Sequence, residues 1–168
     1  MLKKILLALV VALPLSAAAQ KFGTVRIDDV FSAMPETTEM QNQLNEASKK
    51  YEAEFQKLQE ELNKLYTDFQ GIQNDPNTPE TIKERRMQEI QDRATKVEQF
   101  RQTATQDLQR QQEQLLAPIQ AKFNDAVKAV GQEGNFTFIL PMDAGLILYQ
   151  GNDVVDVTAL VKTKLGIK

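Results

Sequence analysis

"IQNDPNTPETI", residues 72–82, places Pro76 and Pro79 between two of the longest amphipathic helical patterns of the chain. Read as a linker, it would separate two domains; read as a turn, it joins the arms of one hairpin. The local chemistry decides between them. The residue before a proline is pushed out of the α region, so Asn74 and Asp75 end one helix ahead of Pro76. Thr78, Pro79 and Glu80 then supply a capping hydroxyl, a proline for the first helical position and an acid near the positive helix end. So short a connection suits antiparallel neighbours. A flexible linker is usually longer, richer in Gly and Ser, and flanked by domains with cores of their own, and neither arm has such a core.

Outward from the turn, the first arm is helical from Glu36 to Asn74. Met40, Leu44, Ala47, Tyr51, Phe55, Leu58, Leu62, Leu65, Phe69 and Ile72 recur at steps of three and four, and mostly Glu, Lys, Gln and Asn lie between them. That is one narrow stripe, wide enough for one partner helix. The eleven-residue step from Leu44 to Phe55 is a stutter that relaxes a left-handed supercoil. The second arm, from about Pro79 to Ala117, keeps heptad positions at Ile90, Val97, Ala104 and Gln111 and at Ala94, Arg101, Leu108 and Leu115. Its seam is weaker, with Arg101 and Gln111 at places where an apolar residue would pack. Helices of this length hold by packing more than by propensity, so this arm is expected to be mobile or ready to take a further apolar partner. Pro118 then interrupts a pattern that resumes through Ile119, Phe123, Ala126, Val127 and Val130 to Gly131 and Gly134, and a kink is expected there. About 40 residues at about 1.5 Å each give an arm of about 60 Å.

The two ends are of different character. "MLKKILLALVVALPLSAAAQ" sets Lys3 and Lys4 before an apolar run from Ile5 to Leu15 and then the Ala17-x-Ala19 pattern, which is a secretory signal peptide cleaved near Ala19, before Gln20. The apolar run is too short to span a bilayer of about 20 residues. With no cysteine in the chain there is neither a disulfide framework nor a lipid-attachment thiol. An exported chain without a further apolar segment of spanning length points to the periplasm. Without residues 1–19 the chain has 18 basic and 23 acidic residues, a net charge of −5 that makes a poor footprint for nucleic acid. The absence of histidine and cysteine removes the commonest general base and the thiol nucleophile, and no constellation for an enzyme, a metal or a cofactor is present.

"KFGTVRI" reads as a strand and "DDVFSAMPE" as a turn of helix, capped by Asp28 or Asp29 and interrupted at Pro35. Asp28 and Asp29 are adjacent, so on a helix they do not face one another as paired carboxylates. Near the other end, "NFTFILP" and "LILYQ" read as strands joined by a turn at "MDAG", and Asp156 or Thr158 starts a last amphipathic helix with Leu160, Val161 and Leu165. "NFT" also matches a glycosylation acceptor, which carries little weight within a strand. The fold class is therefore α+β and mainly α: residues 20–35 and 118–168 form a small β-containing body, and residues 36–117 form a projecting antiparallel helical hairpin with its tip at 74–79. A body of 67 residues is below the size at which one core usually suffices. Its strand edges also call for closure by neighbouring subunits.

In this order of elements, in the "KFGTVRIDDVF" opening and in the ending "FTFILPMDAGLILYQGNDVVDVTALVKTKL", the chain resembles the Skp/OmpH family of periplasmic chaperones over essentially its whole length. "DVTALV", with Asp156 and Thr158, is the short piece most like the family. The resemblance implies a trimer whose bodies share a β-barrel, with three tentacle-like hairpins around a cavity. It also implies an ATP-independent holdase that receives unfolded outer-membrane proteins and keeps them from aggregating before membrane assembly. The alternative reading is a structural coiled-coil adaptor of a periplasmic envelope complex, although neither a second binding module nor an anchor stands out.

Candidate contacts to an unfolded client are Phe69 on the first stripe, Tyr66 and Phe100 beside the stripes, and Lys83, Arg85 and Arg86 beside the tip. Tyr66 and Phe100 equally suit a widened helix seam. The three basic residues equally suit a solvated face paired with Glu84 and Glu89. The chain departs from the basic members of the family it resembles, because residues 36–117 hold 11 basic and 16 acidic residues. That balance speaks against capture of acidic clients or of lipopolysaccharide by charge.

Overall fold

The computed structural model describes residues 20–142, 145 and 147–167, so the signal-peptide segment 1–19 lies outside the described residues. The chain runs through strand β1 (Lys21–Val25), helices α1 (Ile27–Phe31), α2 (Pro35–Gln73) and α3 (Glu80–Glu133), strands β2 (Phe136–Pro141) and β3 (Val154–Asp156), and helix α4 (Thr158–Lys164). The fold is α+β and mainly helical, with a long helical hairpin joined to a three-stranded sheet, as the sequence predicts.

The arms pack as antiparallel neighbours. Arg93 Nη1 reaches Glu61 Oε2 across the seam at 2.9 Å, Tyr51 donates its hydroxyl to Asp107, and Lys122 pairs with Glu36 at the root. Phe69, Ile90, Val97 and Ala104 are buried in the seam from near the tip to its middle. Arg101 does not occupy the seam position that a strict heptad gives it. It is exposed and held by Glu98, while its neighbour Phe100 turns inward onto the Tyr51 ring at 6.1 Å between centroids. A guanidinium in the seam would lose its hydration without a partner, so the helix presents the adjacent aromatic instead. Pro118 does not break the second arm either, because α3 continues through it to Glu133. Proline lacks the N–H for an intrahelical bond, yet the helix continues past it, and Ile119, Phe123, Ala126 and Val130 beyond it are all buried.

Those residues build the core with Val25, Val30, Met34, Val157 and Val161. The α3 segment crosses the sheet and returns the chain to the start of β1, so β2 pairs parallel to β1, with Phe22 opposite Phe138 and Thr24 opposite Leu140. At the corner a Cβ on Gly134 would lie 2.4 Å from the Phe136 ring, and Asn135 takes a positive φ of 51°, a conformation that asparagine tolerates. β3 pairs parallel to the other side of β1, giving the order β2-β1-β3. Among the described residues no hairpin forms around "MDAG". β2 pairs on one side with β1 and has no described strand on its other side, and β3 lies at the far edge of the sheet. Of "LILYQ", Leu146 lies outside the described residues, and residues 147–150 are not a strand; Val154–Asp156 supplies the third one.

Helix starts also differ in detail. Arg26, not Asp28 or Asp29, stands at the cap position of α1, because its own N–H is bound to Thr158 Oγ1 at 3.0 Å, which ends the strand there. Asp29 instead pairs with the Arg26 guanidinium at 2.9 Å, and Asp156 meets the same group at 3.3 Å. Asp156 Oδ1 accepts the N–H of Thr158 at 2.9 Å and its hydroxyl as well, so the "DVT" turn ties the start of α4 to the end of β1.

The Thr158 hydroxyl, more than its N–H or Arg26, holds the Asp156 carboxyl below its ordinary 3.8. A depressed carboxylate stabilises the fold above the unfolded pKa and loses that contribution as pH falls through the folded one. The thermal midpoint is thus expected to fall as pH drops below about 4, and an Asp156→Asn variant is expected to lose less over that interval. Val157, not Asp156 or Thr158, stands at the cap position of α4, so at neutral pH Asp156→Ala is expected to cost about 1 kcal/mol, the usual net worth of a lost hydrogen bond, read by urea unfolding.

Candidate functional site

Two surfaces stand out, one along the outer half of the hairpin and one on the sheet. At the tip, Asp75 organises the turn. Its Oδ1 accepts the N–H of Asn77 at 3.0 Å, and its Oδ2 accepts the Thr78 hydroxyl at 2.7 Å. The Asn77 N–H and then the Thr78 hydroxyl hold this carboxyl below its ordinary value. Thr78 is not the helix cap: α3 begins one residue later, with Pro79 in the cap position and no side-chain cap hydrogen bond, and the Thr78 hydroxyl serves the turn instead.

The three basic residues beside the tip each meet an acid. Lys83, largely covered, lies 3.7 Å from Glu80, and Arg85 and Arg86 both reach Glu89, at 3.6 and 2.6 Å. The aromatic candidates divide. Phe69 is buried in the seam, Phe100 is half-buried against Tyr51, and Tyr66 is exposed. The hairpin thus gathers Tyr66, Phe69, Lys83, Arg85 and Arg86 into its outer half and sets Phe100 nearer the middle, beside a groove of about 290 Å³ that Phe55, Ala104 and Leu108 also line.

Exposed Ile82 and Met87 add to the apolar surface of the outer half, and Met87 lines a shallow groove of about 390 Å³ with Phe69 and Lys83. Neither is among the candidates named from the sequence: Ile82 lies off the α3 stripe, whereas Met87, seven residues before Ala94, continues it towards the tip, and that spacing is its signal. A further groove, about 660 Å³, lies at the root between the arms, where Pro35, Met40, Leu115, Pro118 and Ile119 line it beside the Lys122–Glu36 pair. That pair holds the Glu36 carboxyl below its ordinary value.

On the sheet, the face turned away from the core carries Phe22, Phe138 and Leu140, with the rings of Phe22 and Phe138 stacked 6.2 Å apart. Ile147, Tyr149 and Gln150 of the β2–β3 connection line a pocket on the same face. In that connection Leu148 is 98% and Tyr149 88% exposed, values at which large apolar side chains gain nothing from the fold of one chain. The outer edges of β2 and β3 have no strand neighbour among the described residues. Patches of this kind mark contact surfaces.

Among the described residues no group of His, Cys, Asp or Glu is arranged to hold a metal, and no helix is long and apolar enough to cross a membrane. The chain is similar to known proteins at the level of family: the model described as "Outer membrane protein (OmpH-like)" matches residues 21–165. No curated protein matches the chain.

Proposed function

The chain belongs to the OmpH-like family of periplasmic chaperones, and from that premise we propose that it is an ATP-independent holdase for unfolded outer-membrane proteins. In this reading residues 20–35 and 118–168 are the association body of a homotrimer and residues 36–117 are the arms. An unfolded client is held in the cavity between three arms until it is passed on for membrane assembly. The work is done by reversible contact, without a covalent step or a cofactor.

The observation that carries the reading is where apolar surface is left exposed. Tyr66, Ile82 and Met87, far out on the hairpin, keep 38 to 45% of their surface exposed. Weak contacts from several arms to one chain add through effective concentration, without any single tight site. The acid excess of the arms sets which clients suit them. Apolar segments with basic or neutral flanks fit, whereas lipopolysaccharide phosphates do not.

Rapid dilution of a urea-unfolded outer-membrane protein into buffer without nucleotide tests the proposal by light scattering. Aggregation is expected to stop near one assembly per client. Unchanged aggregation, together with tight binding of a folded envelope protein, would favour the adaptor reading instead.

A further inference from the structure

Thr24 lies in the central strand and is only 2% exposed, yet its Oγ1 has no hydrogen-bond partner among the described residues, and the same is true of the buried Oε1 of Gln150. Thr24 shares the open face of the sheet with Phe22, since successive side chains alternate and Gly23 and Val25 face the core. Gln150 comes from the connection that passes over that face. Together they line a pocket of about 170 Å³ whose other walls include Phe22, Phe138, Leu140 and Tyr149. Buried polar atoms are nearly always paired. Thr158, at the end of the same sheet, shows the normal state, with hydrogen bonds from its hydroxyl and its N–H to Asp156.

Water answers this need poorly. A buried water makes about three hydrogen bonds, and a mostly apolar pocket with two unpaired polar atoms offers it fewer protein partners than that. An unfolded client answers it poorly as well, because changing sequences offer no constant group to two fixed atoms. A second copy of the chain offers the same group every time. The pocket opens among Leu148, Tyr149 and the stacked phenylalanines, and a polar pair within an apolar surface of this kind fixes register between associating chains.

We infer that the Thr24–Gln150 pocket is a polar socket that receives a hydrogen-bonding group from a second copy and sets how the copies meet. The inference rests on the self-association in the reading above and adds to it the residues that determine register.

The test uses the full mature chain, with Gln150→Leu and Thr24→Val/Gln150→Leu variants. Association is followed by sedimentation over a dilution series and by native mass spectrometry, and unfolding is followed at concentrations where the chains are separate. Gln150→Leu strands the incoming donor, so association is expected to weaken by about tenfold or more. The separated chain is expected to unfold at the same or a higher temperature, because the substitution removes an unpartnered buried acceptor. The double variant is expected to associate without a single stoichiometry.

Association of Gln150→Leu within about twofold of wild type, or a lowered midpoint of the separated chain with association intact, would overturn the socket. A wild type that remains a single chain at every concentration would overturn it too. Client light scattering on the same samples judges the holdase reading separately: suppression of aggregation by such single chains would leave that reading standing while the socket falls.

Discussion

A Leu148→Asp/Tyr149→Asp variant is expected to sediment as a single chain with its helical circular dichroism intact. Both side chains are almost wholly exposed in one chain, so removing them takes little from its own core, which is built from Val25, Val30, Met34, Phe123, Val157, Val161 and their neighbours. In an assembly the same side chains would lie against a neighbour, where a central aromatic anchor contributes about 2 to 4 kcal/mol when truncated to alanine. Aspartate adds a desolvation cost to that loss. In a closed ring every interface carries the change, so the effect multiplies around it. Tyr149→Phe keeps the ring and is expected to associate nearly as the wild type does. The same aspartate variant is expected to lose client protection by about 10² or more, because separate chains bring one arm at a time and forfeit effective concentration. An aspartate variant that keeps the assembled mass would move the interface away from this connection.

The hairpin was legible because its cause is local. Two prolines, an acid and a threonine fix the tip, and a three-and-four repeat of apolar residues fixes each arm. Arg101 shows the limit of such periodicity: the heptad assigns it to the seam, but which of two adjacent residues turns inward depends on what the facing helix offers, and Tyr51 favours Phe100. The sheet was legible in its strands but not in its pairing. Lys21 lies opposite Phe136 only because α3 carries the chain back across the core, a contact between residues far apart in sequence. A turn signal such as "MDAG" says that the chain reverses or bends, not which strand lies next to it. "LILYQ" has strand composition and no partner among the described strands, which agrees with a segment that pairs only in an assembly. Of the candidate client contacts, spacing does separate Tyr66 from Phe69, since Phe69 is on the three-and-four stripe and Tyr66 lies beside it. Rotation about the helix axis exposes the one and buries the other.

Shortening both arms in register is expected to separate assembly from client holding. Cross-arm pairs define the register: Glu61 with Arg93, Tyr51 with Asp107, and Glu36 with Lys122 stand at roughly equal distances from the tip. Removing residues 59–95 and joining Leu58 to Lys96 through a short Asn-Gly-containing turn therefore takes matched lengths from α2 and α3. The deletion removes Tyr66, Phe69, Ile82, Met87 and the basic group Lys83, Arg85 and Arg86. It leaves Tyr51, Phe100, Asp107 and every core residue around the sheet in place. Because the sheet end keeps its packing, the shortened protein is expected to retain the wild-type stoichiometry in sedimentation and the unfolding midpoint of that end. Client protection is expected to fall by about two orders of magnitude, since each lost arm segment removes contacts whose summed effect, and not any one of them, holds the client. Full protection by the shortened protein would place the client against what remains, the Phe100 groove or the apolar groove at the root beside Met40 and Leu115. Loss of protection with an unchanged stoichiometry would assign client holding to the outer half of the arms, where the exposed tyrosine, isoleucine and methionine lie beyond the reach of the core.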